Sequence, residues 1–293
     1  MRKEIFAIIA LTAVFWSGMV NMARAEQAEI RFAITSAVAS DPSYSGYKLL
    51  TDYVAGKMGR KSAFISGLSY NQVDDLFIDH KVDVGFLCNT HFARQRNVVG
   101  FQALAVPVIE GYGKPKFQVY IIVNKDSGIK SLKDLKGKTV DFSDPLSTTN
   151  IYAAYLLKKR NQTIRSYFGK AIYSGSHDMT VRLVANKMVD AGFIDGHIWD
   201  FHERVRPEYS SKTRVIQRSP DFTMPPVVVS KSMPEEVRRK MAGILLSMHE
   251  DSVGREILKK LRIEKFVAAR DDDYQDVLRM YNTVRSSLIK GSD

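Results

Sequence analysis

Apolar residues come along this chain in short β-branched and aromatic runs, separated by stretches with helical spacing. Ile30-Arg31-Phe32-Ala33-Ile34 reads as a first strand, and residues 46–58 read as a helix stopped by Gly59. A second strand over 62–66, a helix over 71–79 and a third strand over 82–87 follow. Residues 116–124 form a long apolar strand, and Ser131 with Asp134 reads as a capping box on a short helix stopped by Gly137. After the run Thr139-Val140-Asp141-Phe142, a helix from Ile151, a strand near 171–173, a helix over 178–187 and a strand over 189–194 are predicted. In the tail, Ser232 and Glu235 read as a second capping box, and Val237, Met241, Ile244, Leu245 and Met248 keep helical spacing. A last helix covers roughly 274–288. Strands alternating with helices predict an α/β fold with mostly parallel sheet and helices on both faces. The length predicts two units, and with no Pro/Gly-rich linker they are expected to be joined by crossing strands rather than strung in tandem.

Residues 1–25 change the picture of where the protein works. Arg2 and Lys3 precede a mostly apolar stretch from Ile5 to Val20, and Ala23-Arg24-Ala25 is an A-x-A cleavage site, so the mature chain is expected to start at Glu26 in the periplasm. The apolar stretch is too short for a convincing membrane anchor. The net charge of +11 falls to +9 once Arg2, Lys3, Arg24 and Glu4 are removed. That balance suits an anionic ligand. Basic residues are scattered among acidic ones without a block or motif for nucleic acid, so nucleic acid is not an expected partner. The single cysteine, Cys88, excludes an internal disulfide.

Ser143-Asp144-Pro145-Leu146-Ser147-Thr148-Thr149-Asn150 carries the chemistry. Asp144-Pro145 sets a tight turn between a strand and a helix. Ser147, Thr148 and Thr149 then place three hydroxyls and their backbone N–H groups at a helix N-terminus, where free donors and the positive end of the helix dipole meet. Such a run serves either as an ordinary N-cap or as a site for a small anion.

The motifs in order resemble the periplasmic solute-binding proteins of phosphate, phosphite and phosphonate ABC transporters, the phosphonate-binding-protein-like family. The resemblance is carried by Tyr47…Leu50-Thr51-Asp52-Tyr53, Lys81-Val82-Asp83-Val84-Gly85-Phe86-Leu87, Val123-Asn124-Lys125-Asp126-Ser127 and residues 131–137. It continues through the hydroxyl run, Tyr173-Ser174-Gly175-Ser176-His177-Asp178, Val184-Ala185-Asn186-Lys187…Val189-Asp190 and Pro225-Pro226-Val227-Val228-Val229. It implies a two-lobed type II periplasmic binding protein with a ligand cleft between lobes joined by two crossing strands, placed near 117–123 and 227–230. The first lobe is then 26–117 with 226–293, and the second is 118–225.

The same resemblance implies the pocket. The positions of Ser147, Thr148 and Thr149 hold the anion oxygens, and Asn150 stands where the family has a small residue, usually Gly. His177 matches a histidine that hydrogen-bonds the anion, and Tyr70 a tyrosine that lines the cleft. Phe117 aligns with another cleft tyrosine but lacks its hydroxyl. Aminophosphonate binders carry a carboxylate at the place of His197; here Asp195 stands two residues earlier, so an ammonium anchor is not expected and 2-aminoethylphosphonate is disfavoured. Cys88 follows the third strand at the carboxyl end, where open α/β sheets bind ligands; it is either a small buried hydrophobe or a cleft residue.

The reading is a monomeric binding protein that captures a small oxyanion for an ABC permease, without cofactor or metal. The alternative is a periplasmic sensory protein for arsenite, held at Cys88, or for another oxyanion, engaging a sensor histidine kinase; a soft thiolate suits trivalent arsenic. An enzyme is the third possibility, and neither a G-x-S-x-G elbow nor an H-E-x-x-H motif is present to support it.

Overall fold

The structure, a computed structural model, describes residues 29–35 and 44–289, so the secretion signal expected over 1–25 lies outside the described residues. Its first half alternates strand and helix as the hydrophobic pattern requires: β1 (Ile30–Thr35), α1 (Tyr44–Lys57), β2 (Ser62–Leu68), α2 (Tyr70–Ile78), β3 (Val84–Phe86) and α3 (Asn89–Gln95). Ser69 and Gln72 form a capping box that starts α2 immediately after β2, so Tyr70 is held in its first turn. β1 lies between β2 and β3, parallel to both. The sheet is completed by β4 (Phe101–Ile109), β12 (Val227–Ser230) and β13 (Ile263–Ala268), in the order β13-β4-β12-β3-β1-β2.

A second sheet comprises β6 (Val119–Asn124), β7 (Thr139–Phe142), β8 (Lys170–Tyr173), β9 (Ala191–Asp195) and β10 (Thr213–Arg218), in the order β10-β6-β9-β7-β8. All six residues of β6 are buried, as a strand covered on both faces demands. α4 (Thr148–Lys158) and, after the short α5 (Ile164–Tyr167), α6 (His177–Ala185) lead out of the carboxyl ends of β7 and β8. α7 (Gly196–Val205) follows β9 directly, which places the carboxyl ends of β7, β8 and β9 side by side. Gly192 sets how closely α6 lies on β9: a Cβ there would meet Thr180 Cγ2 at 2.4 Å. Only glycine lets the helix settle so that Thr180 Oγ1 reaches Asp141 of β7.

The chain crosses between the sheets at β5 (Lys116–Phe117) and β11 (Phe222–Thr223), which pair with each other as an antiparallel ribbon. The crossing strands expected near 117–123 and 227–230 are therefore displaced: β6 and β12 each belong wholly to one sheet. The long strand expected over 116–124 breaks at Gln118, whose carbonyl turns to accept from the Gly196 N–H at 2.8 Å. The box expected from Ser232 and Glu235 does not form, because Pro234 takes the N-cap position of the helix Glu235–Ser247 and the Ser232 hydroxyl pairs with that of Ser230 at 2.7 Å. The strand expected over 82–87 is shorter, at Val84–Phe86.

One hydrophobic cluster runs through both sheets, from Phe77, Phe92 and Phe101 to Phe142 and Phe193. The C-terminal helix Gln275–Ile289 packs on α3 from one sheet and α4 from the other, adding Val277 and Val284 to that cluster. The faces turned away from it are covered separately, around Phe32 and Leu50 in the first sheet and around Ile122 and Val181 in the second.

Candidate functional site

The turn after β7 is built by Asp144. Its Oδ1 accepts from the Leu146 N–H at 2.7 Å, and its carbonyl accepts from Ser147 Oγ at 2.7 Å. Ser147 caps α4 by accepting from the Asn150 N–H at 3.2 Å, with Thr149 Oγ1 2.8 Å away. Asn150 folds back onto the turn, donating through Nδ2 to the Pro145 carbonyl at 2.6 Å, so its side chain does not point outward. Of the three hydroxyls, that of Thr148 reaches across the cleft. Its Oγ1 lies 2.7 Å from Thr90 Oγ1 and 3.2 Å from Cys88 Sγ, and it donates to Asn89 Oδ1. The Thr90 N–H also donates to Asn89 Oδ1 at 2.9 Å, fixing the loop after β3. A hydroxyl clasp from one sheet thus grips the strand end of the other.

Around this clasp lie buried polar atoms without partners: Tyr70 Oη, Ser143 Oγ, His177 Nδ1 and Asp195 Oδ1. Buried polar groups are normally bonded, so such a concentration marks a place for a polar ligand. Tyr70 packs against Cys88 and Leu146 and stacks on His91 with centroids 4.6 Å apart. His91 Nε2 lies 2.7 Å from Asp74 Oδ1, and Gln95 Nε2 donates to Asp74 Oδ2 at 2.6 Å, so a buried pair backs the tyrosine. Burial pushes the Tyr70 hydroxyl well above its ordinary pKa, with Cys88, Asp144 and Asp195 adding to it. Burial, and then Asp195, likewise raise Cys88, while Thr148 and Tyr70 oppose the shift.

His177, 4 % exposed, opens α6 with its Nε2 3.4 Å from Asp195 Oδ2. His197 stands beside them, its ring 5.7 Å from that of Phe117. Burial pulls His197 down to about 4, Asp195 and Asp200 opposing and His177 reinforcing it, so the ring is neutral at neutral pH. Phe117, buried against Phe222, is part of the core and reaches the site only through His197. His197 also lines an apolar pocket together with Phe86, Ile198, Phe201, Met224 and Pro226. Of the expected residues, Ser147, Thr148, Thr149, Tyr70, Cys88, His177 and Asp195 come together, with His197 at their edge and Phe117 outside. Among the described residues no group of three or more His, Cys, Asp or Glu is arranged to hold a metal ion, and no helix is long and apolar enough to cross a membrane.

The model of the family described as "ABC transporter, phosphonate, periplasmic substrate-binding protein" matches residues 32–274. The chain belongs to that family. It is 26% identical over 279 residues to the phosphonates-binding periplasmic protein of Escherichia coli K12, covering 92% of this chain and 82% of that one. It is 25% identical over 175 residues to a probable ABC transporter phosphite binding protein of Prochlorococcus marinus, covering 55% of this chain and 59% of that one. In fold it is similar to a binding component of an ABC phosphonate transporter from Pseudomonas aeruginosa, with a TM-score of 0.80, 22% identity and coverage of 91% and 90%. The methylphosphonate complex of the Prochlorococcus protein superposes with a TM-score of 0.76 at 17% identity, covering 88% and 98%. These are substrate-binding transport proteins of two-lobed type II fold, and membership places this chain with the periplasmic components that serve ABC permeases.

Two buried carboxylates beneath this candidate site were not legible as site residues. Asp74 is 17 positions from the histidine it meets. Asp141 carried a signal, as the one charged residue in an otherwise β-branched and aromatic strand. It accepts from Ser174 Oγ at 2.8 Å and Thr180 Oγ1 at 2.5 Å, leaving Oδ1 unpartnered. Burial raises its carboxyl to about 6, the two hydroxyls and His177 opposing. A carboxyl raised on folding destabilises once ionised: the cost is absent below the unfolded value of about 4, grows with pH, and is complete above about 6. Asp141→Asn is therefore expected to stabilise the protein by about 1–3 kcal/mol near pH 8 and hardly at all near pH 4. Thermal unfolding at both pH values checks this, and equal shifts at the two would refute it.

Proposed function

We propose that this protein captures a small tetrahedral oxyanion of the phosphate, phosphite or phosphonate class and presents it to an ABC permease. The observation that carries the reading is the meeting of a hydroxyl-rich helix N-terminus with the unpartnered atoms of Tyr70 and His177. Ser147, Thr148 and Thr149 supply hydroxyls, the first turn of α4 supplies N–H groups and its dipole, and Tyr70 and His177 supply donors from facing elements. An entering anion takes over the donors that now hold the Thr148 clasp. The lobes span 26–117 with 226–293 and 118–225, and they close about the ribbon of β5 and β11. Residues 1–25 direct export and are cleaved after Ala25. The mature protein acts as a monomer, without cofactor or catalysis. The relatives are transport components, and none of them supports sensing of arsenite at Cys88.

Calorimetric titration of the mature protein with phosphate, phosphite and methylphosphonate tests the reading. Tight binding of at least one is expected, and His177→Ala should weaken it by about 10–100-fold, the scale of one hydrogen bond to a charged group. Binding of none of the three would refute it.

A further inference from the structure

The turn between β4 and β5 fastens one lobe to the other outside the site described above. It is anchored to the first sheet: the Glu110 N–H donates to the Arg262 carbonyl at 2.8 Å, and Arg262 Nε pairs with Glu110 Oε2 at 3.0 Å, just before β13. Gly111 and Gly113 both take left-handed backbone, with φ of 84° and 66°, so the chain bends on each side of Tyr112. The tyrosine reaches α7 of the other lobe, where its hydroxyl donates to Asp200 Oδ2. Burial, and then the bond to Asp200, push that hydroxyl well above its ordinary pKa, so it stays protonated and donates. Arg204, one turn further along α7, lies against the same turn: a Cβ on Gly111 would stand 3.7 Å from its Nη1 and Nη2. Asp200 Oδ2 also accepts from Tyr120 Oη at 3.2 Å, but Tyr120 belongs to β6, which pairs with β9, the strand that leads into α7. Of the two tyrosine bonds, only that of Tyr112 crosses between lobes.

A hydrogen bond to a carboxylate is among the stronger ones, and this one is partly shielded from water. We propose that Tyr112 and Asp200 form a latch that favours the closed arrangement of the lobes before any ligand arrives, which makes Tyr112 a positioning residue for anion binding. Its effect on affinity rests on the anion reading above; its effect on the lobes does not. The Thr148 clasp gives way to an entering anion, whereas the latch shares no residue with the site and stays made. A closed fraction set in advance scales the affinity of every anion by the same factor. A group that touched the ligand would instead change the ratios between anions. A bond that merely stiffened the β4–β5 turn, in open and closed arrangements alike, would change neither affinity nor lobe spacing.

The test is Tyr112→Phe, which removes the hydroxyl and keeps the ring, with Tyr120→Phe as the control that removes the bond within one lobe. Calorimetric titration with phosphate, phosphite and methylphosphonate should show every ligand that binds weakened by the same factor, about tenfold, in Tyr112→Phe. Tyr120→Phe should stay within about twofold of wild type, a shift too small for the loss of a strong bond. Tyr112→Phe added to Asp200→Ala should cost no further affinity, since both remove one bond. Small-angle scattering should give ligand-free Tyr112→Phe a larger radius of gyration than the wild type, and a saturating anion should bring the two to the same value. Unequal losses among the anions, an equal loss in Tyr120→Phe, or additive losses with Asp200→Ala overturn the latch. So does an unchanged radius in ligand-free Tyr112→Phe. If the wild type binds none of the three anions, the anion reading falls by itself, and the radius of the ligand-free variant still decides for or against the latch.

Discussion

Ser147→Ala combined with Thr148→Val is expected to weaken binding of a phosphorus oxyanion by about 2–4 kcal/mol, or about 30- to 1000-fold, because each hydrogen bond to a charged group contributes about 1.5–3 kcal/mol. Valine keeps the shape of Thr148 and removes only its hydroxyl. The loss includes more than two donors. Ser147 Oγ also caps α4 through the Asn150 N–H, so the first turn that aims its N–H groups at the anion loosens as well. Calorimetry measures the affinity, and thermal unfolding separates it from general damage: the cap and the clasp to Asn89 and Thr90 are polar, so unfolding should shift far less than binding. Affinity equal to wild type would remove the hydroxyl run from the site.

The second large effect concerns what holds that run in place. Phe142 is the last residue of β7, fully buried, with its ring 4.9 Å from Phe193 and 6.0 Å from Tyr173. Phe142→Ala is expected to destabilise the protein by about 3–5 kcal/mol, the transfer loss of a large side chain plus the cavity it leaves. Urea unfolding measures it. A loss below about 1 kcal/mol would mean that the core under the strand end collapses around the gap, and that β7 is not the rigid support for the turn at Asp144.

Ser147, Thr148 and Phe142 all lie in the stretch that was legible in the sequence. The strand Thr139–Phe142, the Asp-Pro turn and the hydroxyl run were readable because each depends on neighbours within a few positions. The same holds for Tyr70 in the first turn of α2, where the Ser69 box is local. By contrast, the crossing strands were placed too far along the chain, over 117–123 and 227–230 rather than at β5 and β11, because an apolar run looks alike in the centre of a sheet and in a two-residue ribbon. The side-chain cap expected from Ser232 lost to Pro234 and to a competing hydroxyl pair, a choice between two short-range options of similar energy.

Local pattern by itself determined that this is an α/β chain with a hydroxyl-rich helix N-terminus after the strand Thr139–Phe142, since strand period, turn chemistry and caps act between near neighbours. The ordered motifs also pointed to the family. Tertiary structure alone decided that Thr148 reaches Asn89 and Thr90, 59 and 58 positions away, and that Asp195 turns from its helix toward His177. It likewise decided that Asp141 is raised to about 6, since burial, the largest cause of that shift, comes from the packing of α6 over β7 and β9. Desolvation and cross-cleft hydrogen bonds depend on which distant segments meet, and that is settled by the packing of the two sheets, not by any one stretch of sequence.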